Sequence, residues 1–406
     1  MSSKPFYNLD PITYETNDIL YTDSKYVDKL YTFLTSSIEP PFSLSINGSW
    51  GSGKTTLMKE LQKRLESNEF PVLWFNPWEY ERADDTAFCF LIELNNFAKS
   101  HLKDVLKDIG ICGFMLLLSS VDLTARLLTN NKLTLENTGK IYDQVEASFT
   151  SRYDTENSVE IIKNDFAKLT KALAEKHNGK PLIVFLDDLD RCLPDKALDL
   201  LEALKNLFIV PNAQVIFISG IDTQVAKQFI IKRYEGIESE FAYNYFKKIF
   251  NFTVNLPVLT ESSFRKLIKK RLNELMDGQE SEWSLSDEEK STLIEYLSKL
   301  LVEAGIQSIR QAYNILQNCY FVFNINPDLQ SKYKEYMVLF AIKERNPGFF
   351  EECCQLANKN PDGRFLAEVQ SLEEIGREIE QPFLSALLER LKELGSSLEN
   401  RVLLEI

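Results

Sequence analysis

The chain alternates short apolar runs with longer stretches in which apolar residues recur every three or four positions. The short runs predict buried strands at 41–47, 72–75, 182–186, 214–219 and 251–257. The longer stretches predict amphipathic helices, as where Leu57, Leu61 and Leu65 fall on one helix face. Strands that alternate with helices are typical of α/β proteins built on a parallel sheet, which is the fold class we predict.

The same patterns divide the chain into four predicted regions. Residues 1–40 are polar and end in an amphipathic helix. All predicted strands lie in a core over 41–257, which a long helical insert interrupts at about 81–180. Beyond this core the pattern is wholly helical, and it predicts a helical lid over 258–325 and a C-terminal helical region over 326–406.

The turn after the first predicted strand reads Gly-Ser-Trp-Gly-Ser-Gly-Lys-Thr over 48–55, which matches the P-loop pattern Gly-x-x-x-x-Gly-Lys-Thr. Its glycines let the backbone approach a phosphate closely, and the amides at the start of the next helix favour an anion. Lys54 is predicted to bridge the β- and γ-phosphates, and Thr55 to give its hydroxyl to Mg²⁺. The predicted nucleotide-binding residues are Gly48, Ser49, Trp50, Gly51, Ser52, Gly53, Lys54, Thr55 and Thr56.

A second motif follows the third predicted strand, where an apolar run ends in two adjacent aspartates, the Walker B form. Asp187 would hold Mg²⁺ through water, and Asp188 could align an attacking water or accept its proton. Two adjacent carboxylates at a strand end are costly without a cation, and a metal ion bound to phosphate offsets that cost. We therefore predict Asp187 and Thr55 as the metal-binding residues and Asp188 as the catalytic base.

Other polar residues near predicted strand ends extend this candidate site. Glu79 follows the second strand, and ligands of open parallel sheets collect at this edge, so Glu79 is the alternative residue for orienting water. Ser219 or Asp222, after the fourth strand, could approach the γ-phosphate. Arg191 is predicted to pair with Asp190, and the alternative is an arginine finger that reaches a neighbouring subunit's nucleotide.

The composition and charge of the chain argue against several classes of function. The 406 residues carry a net charge of −14, which argues against a broad nucleic-acid-binding surface. The six cysteines show no Cys-x-x-Cys spacing and are typical of reduced thiols in a cytoplasmic protein, and the two histidines argue against a His-rich metal site. The apolar stretch within 109–128 is too short to span a bilayer. It predicts a buried or partner-binding helix, with peripheral contact at the inner membrane as the alternative.

Three groups of residues together resemble the KAP family of P-loop NTPases. They are the P-loop with Trp50 inside it, Trp-Phe-Asn-Pro-Trp-Glu-Tyr at 74–80, and Leu-Asp-Asp-Leu-Asp-Arg-Cys at 186–192. The resemblance covers roughly 15–325 and implies a parallel sheet of strand order 5-1-4-3-2 with helices on both faces. The KAP family belongs to the additional-strand group of P-loop proteins, alongside the STAND and AAA+ proteins.

The resemblance also bears on the lid and on membranes. It implies that Arg310, which occupies the place of the family's Pro-Arg element, is a lid arginine that contacts the γ-phosphate, although Ile309 replaces the proline here. KAP proteins commonly carry transmembrane helices between the two Walker motifs. This chain has only the short apolar run at 111–118 in that place.

The sequence therefore predicts an ATP-binding, ATP-hydrolysing switch that uses Mg²⁺, with Lys54, Glu79, Asp188 and Arg310 as candidate catalytic residues. Hydrolysis would move the helical lid and so control assembly with a partner protein or with a second copy of the chain. The resemblance implies a setting such as bacterial antiviral defence or a membrane-associated complex. The alternatives are a nucleotide-dependent scaffold without turnover, a nucleic-acid-associated motor ATPase and a P-loop kinase.

Overall fold

The computed structural model describes residues 25–82, 86–102, 155–234, 239–276, 283, 285–359 and 382–394. The helix predicted within 109–128 lies outside these residues. The described residues belong to two compact units, one within 24–48 and 54–256 and the other within 49–53 and 257–406. Within the described ranges, no helix combines the length and the apolar character that crossing a bilayer requires.

The first unit is built on a five-stranded, all-parallel sheet. Its strands are β1 (Phe42–Asn47), β2 (Val72–Phe75), β3 (Leu182–Leu186), β4 (Val215–Ile221) and β5 (Phe252–Asn255). They lie in the order β2-β3-β4-β1-β5, which confirms the predicted order 5-1-4-3-2. The central strands β3 and β4 are buried at every residue, as expected where helices cover both faces of a parallel sheet.

Seven helices of this unit lie within the described residues. They are α1 (Lys25–Ser36), α2 (Lys54–Ser67), α3 (Thr86–His101), α4 (Thr155–Lys176), α5 (Pro194–Ala203), α6 (Thr223–Arg233) and α7 (Ser239–Ile249). A π-type turn, Leu204–Phe208, extends α5. Both α3 and α4 lie within the insert predicted at about 81–180, and α4 leads into β3.

An aromatic cluster anchors both ends of the insert to the sheet. The ring centroid of Phe90 on α3 lies 5.3 Å from that of Phe208 and 6.1 Å from that of Phe217 on β4. Phe166 on α4 lies 4.9 Å from Phe208. All four rings are buried, so α3 and α4 are part of the sheet's own core.

Polar side chains pair the edge strand β5 with β1, and we call these pairs the polar ladder. Ser43 Oγ donates to Asn251 Oδ1 at 2.9 Å, just before β5 begins. Further along, Ser45 Oγ lies 2.7 Å from Thr253 Oγ1, and Asn47 Nδ2 donates to Asn255 Oδ1 at 2.7 Å. Because side chains on a strand alternate between faces, these pairs line one face of β1 while Leu44 and Ile46 fill the other. The ladder therefore fixes the register of β5.

The second unit is helical over its described residues. Its helices are α8 (Glu261–Met276), α9 (Asp287–Glu303), α10 (Ile309–Ile325), α11 (Tyr333–Arg345), α12 (Pro347–Lys359) and α13 (Pro382–Glu393). Residues 336–342 of α11 are buried without interruption. They pack with α8, α9 and α10 and with the apolar residues of α12 and α13, so one core spans the predicted lid and the predicted C-terminal region.

Side-chain caps define where α9 and α10 begin. Ser286 and Glu289 form a capping box at α9, in which each side chain bonds to the other residue's backbone amide. Ser308 caps α10 by accepting a hydrogen bond from the amide of Gln311 at 3.3 Å. Arg310, the predicted lid arginine, lies in the turn that the second cap starts.

Candidate functional site

Lys54 is the first residue of α2, and its ammonium group is buried in an ion pair. Nζ lies 3.2 Å from Asp190 Oδ2, and each side chain is only 8% exposed. Nζ also donates to the carbonyl oxygen of Gly48 at 2.8 Å. The P-loop lysine is therefore held at the carboxyl end of the sheet by the loop's first residue and by an aspartate of the Walker B segment.

Thr55 joins the P-loop to the end of β3. Its Oγ1 donates to Asp187 Oδ1 at 3.1 Å, and the carboxylate also accepts from the amide of Asp188 at 3.0 Å. Asp187 is 4% exposed. Burial first, and then the charge of Asp188, raise the pKa of Asp187 to about 6, although the hydrogen bonds from Thr55 and Asp188 oppose this rise.

Gly220 on β4 leaves room for this carboxylate. A Cβ at position 220 would lie 3.2 Å from Asp187 Oδ1 and 2.7 Å from Met58 Sδ on α2. A larger residue would therefore press on the side chain that we predict to support Mg²⁺. The sequence pattern of a buried strand gave no reason to expect a glycine requirement here.

Asp188 has the left-handed conformation, with φ 56° and ψ 27°. Its Oδ1 lies 2.8 Å from Arg191 Nε, and its Oδ2 accepts from Asn76 Nδ2 at 3.4 Å. Burial raises the pKa of Asp188, and the nearby Arg191 charge is the main opposing cause. The predicted pairing of Arg191 with Asp190 is therefore wrong, because the tight turn after β3 presents Asp188 to the guanidinium while Asp190 faces Lys54.

Asn76, at the end of β2, brings the two candidate water-orienting residues together. Its Nδ2 donates to Glu79 Oε1 at 3.2 Å as well as to Asp188 Oδ2, while its Oδ1 accepts from the amide of Trp78. Glu79 is exposed. The structure thus places Glu79 and Asp188 on one amide group, and the choice between them as catalytic base stays a prediction for kinetics.

The two candidate γ-phosphate contacts after β4 differ in their surroundings. Asp222 caps α6, because its Oδ1 accepts from the amide of Gln224 at 2.9 Å. Its backbone amide donates to Asp190 Oδ2 at 3.2 Å. Ser219 is fully buried, and its Oγ has no hydrogen-bond partner among the described residues. Asp222 thus already has a local role at a helix start.

The middle of the P-loop, 49–53, belongs to the helical unit and packs on the start of α10. Gly51 and Gly53 have φ of 78° and 100°, and the Ser52 amide donates to the Ser49 carbonyl at 3.1 Å. The carbonyl of Gly51 accepts from the amide of Ile309 at 3.1 Å. Arg310 lies 5.3 Å above the ring of Trp50, which is 66% exposed. The loop and the predicted lid arginine are therefore in direct contact.

Replacing Gly51 with alanine is expected to destabilise the packing of the P-loop on α10. The loss should exceed the strain that a left-handed backbone causes for alanine by itself. A Cβ there would overlap Ser308 Oγ, which caps α10, and would lie 2.9 Å from Arg310 Cβ. Gly179 is a matched control, because its φ is 80° and nothing lies within 4 Å of its Cβ position. Gly179→Ala should cost about 1 kcal/mol through backbone strain alone. Thermal melts should show a larger fall in Tm, and ATP titrations a larger loss of affinity, for Gly51→Ala than for Gly179→Ala. Equal losses would contradict the packing of Gly51 against α10.

These residues fit a magnesium nucleotide. A threonine hydroxyl and carboxylate oxygens are the hard ligands that Mg²⁺ prefers, and the buried carboxylate of Asp187 lies next to a second acid, so a cation would stabilise both. The glycines with positive φ leave the backbone amides of the P-loop without a Cβ in front of them. Thr56, in the first turn of α2, adds one more amide at the helix start.

Two residues of the site were missed at the sequence level. Asp190 was expected to pair with its neighbour Arg191, although its charge is the one that meets Lys54. Asn76, which follows β2, was not among the predicted site residues. The rule that singled out Glu79, polar residues beyond a parallel strand's carboxyl end, applies equally to Asn76 and could have found it.

Together, the sheet order, the loop and the acidic strand end define a nucleotide-binding protein of the P-loop class. A model of the KAP family P-loop domain matches residues 23–323, and the chain belongs to this family. An uncharacterized protein of Methanocaldococcus jannaschii is 28% identical over 172 residues, covering 36% of this chain and 88% of that protein. The crystal structure of Cdc6p from Pyrobaculum aerophilum matches 95% of this chain and 97% of that one, with 11% identity and a TM-score of 0.39.

Proposed function

We propose that this chain binds ATP with Mg²⁺, hydrolyses it, and uses the cycle as a switch that controls assembly with a partner protein or a second copy. One observation carries the proposal: at the same end of the sheet, Lys54 pairs with Asp190 and Thr55 donates a hydrogen bond to Asp187. A P-loop that served only as a turn would have no need for a buried lysine beside three Walker B carboxylates.

Each residue has a distinct role in this proposal. Lys54 would bind the β- and γ-phosphates, and Thr55 and Asp187 would hold Mg²⁺, whose charge would offset that of the phosphates. Asp188 orients the attacking water and accepts its proton, while Asn76 and Arg191 fix the direction of the carboxylate. Arg310 on α10 contacts Trp50 of the P-loop turn, and nucleotide binding at that turn would act on α10 through this contact.

A second candidate is a nucleotide-dependent scaffold that binds ATP without turnover. It is favoured by the surroundings of Asp188, whose two carboxylate oxygens contact Arg191 and Asn76. The charge of Arg191 opposes the rise in the pKa of Asp188 that burial causes, so it makes this carboxylate a weaker proton acceptor than burial alone would. The two candidates share the nucleotide site and differ only in hydrolysis.

Native mass spectrometry of the full chain, with and without ATP and Mg²⁺, tests the proposal. We expect one nucleotide per chain that requires Mg²⁺, and a change in subunit count or in a co-purified partner when ATP is present. A phosphate-release assay on the same samples separates the two candidates, since the scaffold would release no phosphate. Absence of nucleotide from wild-type protein at millimolar ATP would refute both.

A further inference from the structure

The Walker B segment of this chain carries a third aspartate, Asp190, that the proposed mechanism does not use. Its carboxylate is 8% exposed and forms the ion pair with Lys54. The carboxylate of Asp187, at the start of the segment, accepts a hydrogen bond from the Thr55 hydroxyl. That of Asp188 pairs with Arg191 and accepts a hydrogen bond from Asn76. Each acid of the segment therefore has its own partners, and Asp190 is the one whose charge meets the P-loop ammonium group.

A phosphate that binds the P-loop needs the same ammonium group. Lys54 Nζ already contacts the carbonyl of Gly48 and Asp190 Oδ2, at 2.8 Å and 3.2 Å, and it is 8% exposed. Opening a buried ion pair has a high cost in free energy unless the charge left behind gains another partner. Binding of a triphosphate therefore exchanges one anion at Lys54 for another and leaves the carboxylate of Asp190 behind.

One contact makes this exchange feasible. Asp190 Oδ2 also accepts from the backbone amide of Asp222 at 3.2 Å, directly before α6 begins. Because the amide of a helix start carries partial positive charge, it can hold the carboxylate when the lysine turns away. The same oxygen thus connects Lys54 with the start of α6.

We propose that Asp190 competes with the nucleotide for Lys54 and thereby sets the affinity of the site for triphosphate. The proposal rests on the proposed function, since it concerns the nucleotide that the same P-loop binds. It assigns Asp190 a positioning role in binding rather than a place among the residues that touch the reacting atoms. An ion pair that served only stability would lower the melting temperature when removed and would leave affinity unchanged.

The test compares ATP binding by neutral variants of Asp190 in the full-length protein. Asp190→Asn keeps an oxygen that can accept from the Asp222 amide but removes the charge that holds Lys54. We expect its Kd for Mg²⁺ and a non-hydrolysable ATP analogue to fall about tenfold, equivalent to about 1.4 kcal/mol. Asp190→Ser, a second neutral variant, should tighten binding in the same direction. Calorimetry gives the Kd, and circular dichroism confirms that each variant is folded.

Two control variants separate this proposal from the proposed function. Asp195→Asn removes one negative charge from an exposed position in the first turn of α5, and it should leave the Kd within twofold of wild type. Lys54→Ala should abolish binding. If wild type binds ATP and neither neutral variant binds more tightly, Asp190 is not a competitor, although the P-loop function stands. If neither wild type nor the variants bind ATP, the proposed function fails and this proposal fails with it.

Discussion

Replacing Asp188 with asparagine is expected to lower the rate of ATP hydrolysis by about 100-fold or more, while ATP affinity stays within about threefold. The amide cannot accept a proton, but it has nearly the shape of the carboxylate. Its one oxygen can still accept from either Arg191 or Asn76, which lie 2.8 Å and 3.4 Å from the oxygens of Asp188. Because Lys54 forms its ion pair with Asp190, which this substitution leaves unchanged, phosphate binding should persist.

Glu79→Gln is the matched control for this experiment. Both acids accept a hydrogen bond from the side-chain amide of Asn76, so the two variants change the same small region. Phosphate release and binding of a fluorescent ATP analogue should be measured for both variants. If Glu79→Gln abolishes release and Asp188→Asn does not, the catalytic base is Glu79. If both variants release phosphate at the rate of wild type, neither acid activates water.

Replacing Asp187 with asparagine is expected to stabilise the protein without nucleotide and to weaken its use of Mg²⁺. The amide oxygen can still accept from Thr55 and from the amide of Asp188, so the hydrogen bonds of the site remain. The buried negative charge beside Asp188 disappears. Loss of the carboxylate should weaken Mg²⁺-dependent ATP binding by about 10- to 100-fold, while relief of the buried charge should add roughly 2 kcal/mol of stability and about 2–4 °C in Tm at pH 7.5.

The gain in stability should depend on pH in a defined direction. The pKa of Asp187 is raised in the folded protein to about 6, from 3.8. Its carboxyl group therefore favours folding below the lower value, and this contribution is lost as the pH rises through the upper one. The difference in Tm between Asp187→Asn and wild type should shrink as the pH falls from about 6 to about 4.

A buried aspartate outside the site provides the control for Asp187→Asn. Asp165 on α4 is 9% exposed, and its Oδ1 accepts from Lys168 at 3.2 Å. Asp165→Asn should leave the Mg²⁺ dependence of ATP binding unchanged. A lower Tm for Asp187→Asn than for wild type at pH 7.5 would show that the charge of Asp187 stabilises the fold, contrary to our expectation.

The sheet could be predicted because its strands are short apolar runs whose type and position follow from burial alone. The four residues predicted for β2, Val72 to Phe75, are the four observed. The order of the strands came from the family resemblance, since apolar runs do not state which strands are neighbours. The structure confirms that order.

The pairing of charges within the site could not be predicted from spacing. Arg191 follows Asp190 directly, and neighbours in a loop often pair. The turn after β3 instead gives Asp188 a left-handed backbone, with φ 56°, which directs its carboxylate toward Arg191 and leaves Asp190 for Lys54. Such a choice depends on the three-dimensional path of a few residues, and a sequence pattern contains no signal for it.

The polar ladder has a consequence for the chain during its synthesis. Each partner pair is separated by 208 residues, so the ribosome completes β1 long before β5 exists. An unpaired strand edge is a hazard for aggregation, and polar groups beside it reduce that hazard. Until β5 is synthesised, the face of β1 that will form the polar ladder exposes Ser43, Ser45 and Asn47 rather than aliphatic side chains. A nascent chain that ends before residue 250 should therefore stay in solution more readily than one in which these three positions are valine.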